Sequence, residues 1–496
     1  MNLFTFFVAP FIFMLQYTMD ERGYSQMSME RSAGILCPLF SVPANQGIGD
    51  LGQKTIKMID YIADGGFHVW QILPLAAKGA YNSPYHTQSS FAGDPIYINL
   101  DRLCEMGLLT QSSLVNCNKF KERVDYPVVR EFKERYFQRA FKAFKKNYES
   151  FQESFEAFEK EAFWLNDWVI YVLFKELNEK KPWYEWEEKY RDYPLKKDVS
   201  LFEYEEELFY YKFLQYIFYK QFDDIMMYAH ARKITIISDV AFVNYDSADV
   251  WAHREDFLLD ADGCPKRMGD NAPVHNFKKQ QEDGYIFWKQ RMKWVARCMD
   301  MAKVDYFTVF HDYLKAYDHL MTVDQTWLAG VFCELVELIR DSYPNFHLIV
   351  EGLEEFNRAK NLDVLDIKVL LDHMWVKELK KETQEDIVLY TSTQNYPTVN
   401  EAYYSYDNNH RISLRRFFKK RNYTDRNFND LICQYALKTQ ARLVILPIWD
   451  ICGYKEEARI QGMTEASSNW TWKLKDFKSL PEYMEKVKQW IEASDR

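Results

Sequence analysis

Eight compact apolar runs punctuate the chain, near Gly34–Leu39, Val69–Leu75, Ile234–Val240, Val304–Val309, Leu348–Leu353, Ile367–Leu371, Ile387–Thr393 and Leu443–Pro447. Each is short and apolar enough to read as a strand. Helix-period segments flank several of them. Leu51–Ala63 places Ile56, Met58, Ile59 and Ile62 on one helical face, and Trp288–Met301 and Trp327–Ile339 repeat the pattern. Repeated strand–helix alternation predicts a parallel sheet joined by crossovers. Eight strands point to an α/β fold, a (β/α)₈ barrel of the TIM type with helical insertions. The competing arrangement is an open doubly wound sheet. No G-x-G-x-x-G follows a strand, which weakens its nucleotide-binding form.

Between Cys104 and Ala231 the pattern changes. Phe137, Phe141, Phe144, Tyr148, Phe151, Phe155 and Phe158 recur at alternating spacings of four and three, which predicts one helix with an aromatic packing stripe. No linker rich in Pro, Gly or Ser divides the chain. The expected organisation is an N-terminal extension over 1–30, a barrel over 31–480 that includes a helical insertion over 104–231, and a C-terminal helix over 481–496. The apolar run Leu3–Tyr17, broken by Pro10, has no Lys or Arg before it and no small-x-small site soon after. That argues against a signal peptide, and the run is too short for an ordinary transmembrane helix. A packed extension and a start placed too far upstream, with Met27 or Met29 as the true beginning, remain as readings.

Composition narrows the class. The 496 residues are 47% apolar, so a large core is available and global disorder is excluded. A net charge of −10 argues against nucleic acid or an anionic membrane as partner. The 36 Phe, 34 Tyr and 14 Trp serve a core or a sugar-binding cleft, and composition does not separate the two. Cys37, Cys104, Cys117, Cys264, Cys298, Cys333, Cys433 and Cys452 form no C-x-x-C pair, and their wide spacing predicts free thiols in a reducing compartment. No Cys/His cluster has metal spacing, so no metal or cofactor is assigned.

Three runs end in polar groups at the strand ends where barrels carry chemistry. They are Val304-Asp305-Tyr306-Phe307, Leu348-Ile349-Val350-Glu351 and Leu389-Tyr390-Thr391-Ser392-Thr393-Gln394-Asn395. Asp305 and Glu351 form the carboxylate pair that a retaining glycosidase or transglycosidase needs. The third run ends in an amide, Asn395, where such chemistry favours a third acid.

Longer motifs follow in order: Gln46-Gly-Ile-Gly-Asp50, Trp70-Gln-Ile-Leu-Pro-Leu75, Ser83-Pro-Tyr85, Ser90-Phe-Ala-Gly-Asp-Pro95, Asp246-Ser-Ala-Asp-Val-Trp-Ala252 and Asn469-Trp-Thr-Trp472. Together they closely resemble the amylomaltases, the 4-α-glucanotransferases of glycoside hydrolase family 77, from about Arg31 to Leu474. The resemblance implies a barrel with helical subdomains, acting in the cytoplasm on maltooligosaccharides and other α-1,4-glucans. By motif, Asp305 matches the family nucleophile and Glu351 its general acid/base. Tyr85 and Asp246 match residues near the reacting sugar, and Trp70 stands in an intact motif expected to serve substrate recognition.

The chain also departs from that pattern. The family's R-I-D-H-F-R-G-F reads Lys303-Val-Asp-Tyr-Phe-Thr-Val-Phe310 here, so Lys303 keeps the charge and loses the guanidinium fork. The family's Y-T-G-T-H-D-N reads Tyr390-Thr-Ser-Thr-Gln394-Asn395-Tyr396, with amides in place of the His and Asp that grip sugar hydroxyls. Glu351 precedes Gly352 where the family has Asp. The segment Leu258–Gly284 is shortened and lacks the V-P-P-D and W-G-N-P elements of the acceptor side. Two functions follow from this reading: an attenuated 4-α-glucanotransferase, or a catalytically inactive glucan-binding homologue with a regulatory or scaffolding role.

Overall fold

The computed structural model describes residues 30–79, 82–114, 120–240, 243–268, 272–304, 325–343, 346–350, 364–463 and 465–496. The expectations for the N-terminal run, for Cys117, and for Asp305 and Glu351 lie outside the described residues.

Eight parallel strands close into a barrel: β1 (Ser32–Leu36), β2 (Val69–Gln71), β3 (Thr235–Asp239), β4 (Met301–Val304), β5 (His347–Val350), β6 (Leu365–Val369), β7 (Ile387–Tyr390) and β8 (Leu443–Pro447). Each pairs with its sequence neighbours, and β8 closes on β1, with Ser32 opposite Leu443. The order requires a crossover between successive strands, and helices provide most of them. The open doubly wound alternative is thereby excluded. β8 is buried at all five positions and β7 at all four, as expected of strands covered on both faces.

One local expectation is corrected and one is met only in part. β4 is described over Met301–Val304, and residues 305–309 of the expected Val304–Val309 lie outside the described residues. Nothing in the sequence pattern signalled the stretch before Val304, since a lysine at 303 reads as solvent-facing. In the fold Lys303 is 3% exposed and faces Asp239. The aromatic stripe is not one helix. It divides into Tyr126–Lys146 and Gln152–Glu161 around a short 3₁₀ turn, Tyr148–Ser150. Asn147, a poor helix former, leaves the helical region at φ −110° and ψ 24°. Both halves keep their rings on the long helix Glu205–Ala231, with Phe144 4.9 Å from Phe213 and Phe155 5.5 Å from Phe209. The other three helices form close to expectation, as Gln53–Asp64, Ile286–Cys298 and Gln325–Ser342.

The N-terminal end of the barrel is pinned from outside. Arg496 donates to the carbonyls of Ser32, Thr439 and Ala441 at 2.7–3.1 Å. Barrels of this type carry their loops and chemistry at the opposite, C-terminal end of the strands. Among the described residues, seven cysteines carry free thiols. No described helix is long and apolar enough to cross a membrane.

Candidate active site

Four strand ends deliver polar side chains into the lumen at its C-terminal end. Gln71 ends β2, Asp239 ends β3, Lys303 stands one residue from the end of β4, and Tyr390 ends β7. The Gln71 amide donates to Asp239 Oδ1 at 3.1 Å, and the Tyr390 hydroxyl donates to Gln71 Oε1 at 2.8 Å. β2 and β7 are separated around the wall by β1 and β8. The Tyr390–Gln71 bond therefore spans the lumen. Asp239 pairs in register with Lys303, whose Nζ lies 3.9 Å from Oδ2. Both side chains are almost fully buried, so their charges gain from each other what they lose from water only at close approach.

Tyr85 caps this layer. Its hydroxyl donates to Asp239 Oδ2 and accepts from the Gln394 amide at 2.6 Å. Three segments far apart in sequence thus share one chain of hydrogen bonds, Gln394 to Tyr85 to Asp239.

The sequence motifs explain why Tyr85 sits there. Ser89 Oγ and the Ser90 amide both donate to Asp249, at 3.1 and 2.7 Å, which holds the Tyr85 loop against the D-S-A-D-V-W-A segment. Asn244 Nδ2 donates to the Tyr85 carbonyl at 3.1 Å. Trp470, from N-W-T-W, meets the Tyr85 ring edge-on at 5.7 Å. Gly93 lies so close to Phe218 that an added Cβ would stand 2.2 Å from the ring. The Ser89–Ser90 and Trp470 contacts converge on the Tyr85 loop.

The turn after β7 is held from below. Asp450, buried, accepts from Thr391 Oγ1 at 2.7 Å, Ser392 Oγ at 2.6 Å and the Val399 amide at 2.8 Å. Burial pushes its carboxyl up to about 6, against the lowering effect of those bonds. Above this anchor Gln394 is buried and turned to Tyr85, whereas Asn395 is exposed at the mouth.

Of the expected site residues, the structure brings Tyr85, Lys303 and Gln394 together and sets Asn395 beside them. Asp246 belongs to a different set. Its carboxylate accepts from Lys175 at 2.7 Å, Tyr171 at 2.8 Å and the Trp183 amide at 3.1 Å. Those donors take three of its roughly four acceptor positions. Trp70 stands apart from both sets. It is 1% exposed and its indole N–H donates to the Cys37 carbonyl at 2.9 Å. Side chains alternate along a strand, so it is the next residue, Gln71, that points inward.

Sequence reasoning missed Asp239, Gln71 and Tyr390. Asp239 carried a signal, since it closes an apolar run with a carboxylate just as Asp305 and Glu351 follow theirs. Val304 and Val350, the last described residues before those two carboxylates, pair across β4 and β5. Among the described residues His253, Glu255 and Asp256 offer ligand atoms within 4.8 Å of one another. His253 faces Asp167 at 3.5 Å and Asp256 binds Lys279 at 2.7 Å, so both are already engaged.

Known proteins share this architecture. A 4-α-glucanotransferase of Aquifex aeolicus (strain VF5) is 29% identical over 488 residues, covering 92% of this chain and 98% of that protein. One from Thermus thermophilus is 26% identical over 508 residues, covering 95% of this chain and all of the other. The solved structure of amylomaltase from Streptococcus agalactiae in complex with acarbose superposes with a TM-score of 0.81 at 21% identity, covering 94% of this chain and 100% of that one. Residues 37–479 match the model of glycoside hydrolase family 77, 4-alpha-glucanotransferase, and the chain belongs to that family.

Proposed function

We propose that the chain is a 4-α-glucanotransferase of the amylomaltase type, attenuated, that moves α-1,4-glucan segments between maltooligosaccharides with retention. One observation carries this reading within the family. β4 and β5 end side by side, Val304 opposite Val350, and each is followed in sequence by a carboxylate residue. In the proposed reaction an Asp305 oxygen attacks the anomeric carbon as the glycosidic C–O bond breaks. Glu351 gives its proton to the leaving oxygen. The 4-hydroxyl of an acceptor glucan then displaces Asp305 and returns its proton to Glu351.

Tyr85, Lys303 and Gln394 serve as the floor of the sugar site, with Asn395 at its lip. The catalytic unit is taken as 31–480 with its helical insertion over 104–231, flanked by an extension over 1–30 and a terminal helix over 481–496. The free thiols support a reducing, cytoplasmic setting.

Attenuation follows from the amides. A carboxylate at position 395 makes charge-assisted bonds to hydroxyls that an amide does not. Their loss costs about 1.5–3 kcal/mol, or roughly 10- to 150-fold in rate. The second reading, a non-catalytic glucan binder, is favoured by the same turn, since Gln394 already spends its amide on Tyr85.

Maltotriose incubated with the purified chain, resolved by product length, tests the choice. Maltose-plus-longer products that vanish in Asp305→Ala support transfer. Products that persist unchanged in that variant place the nucleophile elsewhere. Glucan binding without products supports the second reading.

A further inference from the structure

The chain has 73 carboxylate residues to 63 cationic ones, yet one stretch of its surface reverses the sign. Between 411 and 426 stand Arg411, Arg415, Arg416, Lys419, Lys420, Arg421 and Arg426 against a single acid, Asp425. That is a local charge of +6 in a chain of net −10, which leaves −16 on the remainder. The stretch covers the helix Asn408–Lys419 from its first turn onward and the loop after it. Among the described residues, none of the seven cations stands in an ion pair. Surface cations elsewhere do pair, as Lys121 with Asp125 and Arg232 with Asp64, both at 2.8 Å. Asp425 is itself bonded to Gln434.

The helix does not need these charges to fold. Its inward face, Leu414, Phe417 and Phe418, is buried, and Phe418 meets Tyr435 at 5.7 Å and Tyr423 at 5.9 Å. On the opposite face Ile412 is 46% exposed. Arg415, Arg416 and Lys419 share that face, three, four and seven positions on. Arg416, Lys419, Lys420, Arg421 and Arg426 are all exposed. Two guanidiniums are held by rings, Arg421 at 3.8 Å from the centre of Phe417 and Arg415 at 5.5 Å from that of Tyr403. Like charges four apart, Arg411 with Arg415 and Arg416 with Lys420, weaken a helix. The helix dipole favours cations in the last turn, but not Arg411 near the start nor Arg426 beyond the end. Segregated charge of this kind is what electrostatic complementarity to an anionic partner requires.

We propose that this face is a docking surface for an acidic peptide segment of a partner protein, with an apolar side chain of that segment on Ile412. Cations four apart rise about 6 Å along the helix axis. Alternate residues of an extended strand lie roughly 6.6 Å apart, so carboxylates on them meet the cations one to one. The guanidinium forks take a carboxylate through two bonds. Nucleic acid matches the charge but brings no aliphatic side chain to cover Ile412. Like an anionic bilayer, it also extends past the patch onto a surface of net −16. A neutral glucan has no charge to answer seven cations. A partner held here is independent of what the sugar site does.

Fluorescence anisotropy of a labelled glutamate-rich peptide with a central leucine, titrated with the full chain, tests the surface. The expected affinity is on the order of 10–100 µM at ~50 mM salt and weakens about tenfold or more by ~300 mM. Arg416→Glu with Lys419→Glu and Lys420→Glu should weaken binding at least about tenfold. The same charge change elsewhere, Lys142→Glu with Lys146→Glu and Lys160→Glu, should leave most of it. All six side chains are exposed, so both variants keep the core. Glutamine at the same six positions repeats the comparison if a reversal variant melts early. No binding of the peptide to the wild type, or equal loss in the two variants, overturns the proposal. Equal binding of a peptide with glutamine in place of glutamate does the same. Tighter binding of single-stranded DNA or of phosphatidylserine vesicles would give the face to phosphates instead. Self-association of the wild type in sedimentation, lost on reversing the patch, would give it to a second copy of the chain.

Discussion

The side-chain amide of Gln394 donates to the Tyr85 hydroxyl at 2.6 Å, and that hydroxyl donates to Asp239. A residue on the turn after β7 and one on the loop after β2 are thus locked to the end of β3. In the family pattern a histidine stands at position 394. Here an amide of similar reach completes a hydrogen-bond chain within the protein, which couples Gln394 and Tyr85 to the end of β3 and to the stability of the barrel mouth.

Tyr85→Phe tests that coupling. The ring keeps its packing on Trp470, while Asp239 loses a donor and Gln394 an acceptor. The expected cost is about 1–2 kcal/mol in urea unfolding, together with weaker maltooligosaccharide binding. An unchanged unfolding midpoint with unchanged slope would show that the chain of bonds carries no stability.

Restoring the family's groups should restore rate. Gln394→His with Asn395→Asp is expected to raise maltotriose disproportionation by about 10-fold or more, from the charge-assisted bond alone. Asn395 is exposed, so a carboxylate there stays hydrated and costs folding little. Adding Lys303→Arg supplies a fork in place of a point charge beside Asp239 and should increase the rate further. No gain in a triple variant with a wild-type melt would shift the block to the shortened Leu258–Gly284 segment and favour the non-catalytic reading.

Gly93→Ala should destabilise by about 1–3 kcal/mol through overpacking. The new methyl would stand 2.2 Å from the Phe218 ring, which is itself 2% exposed. The backbone has no retreat, because Gln215 bonds both the Gly93 amide and its carbonyl at 2.9 Å. Chemical denaturation measures the cost, and a variant as stable as wild type would mean that the long helix can shift away.

Asp450 predicts a pH dependence. Its folded-state value is raised from 3.8 to about 6, chiefly by burial, so the folded chain holds the proton more tightly than the unfolded one. Below the unfolded value both states are protonated and no penalty exists. As pH rises through the folded value, the folded state comes to carry a buried charge, and stability falls by an amount on the order of 3 kcal/mol. Asp450→Asn removes that titration while losing part of the bonding to Thr391 and Ser392. The stability of the variant relative to wild type should improve by roughly 1–3 kcal/mol from about pH 4 to about pH 7. A difference that stays flat across this window would refute the assignment.

Much of this was legible in the chain. Seven of the eight barrel strands were readable because strands covered on both faces are largely apolar, and helices of one-sided burial alternate with them. The motif order pointed to the family, and three of the motifs meet around Tyr85 and its loop, through Ser89 and Ser90 on Asp249 and through Trp470 on the Tyr85 ring. What the linear pattern did not contain was direction and distance. β2 has only three residues, so which of Trp70 and Gln71 enters the lumen depends on a register that its neighbours set. Lys303 reads as solvent-facing until Asp239 is brought beside it. A stripe spaced by four and three looks the same on one helix as on two joined by a single turn. The contact between Tyr390 and Gln71 joins residues 319 positions apart, and it exists only because a closed barrel brings opposite walls within the reach of two side chains.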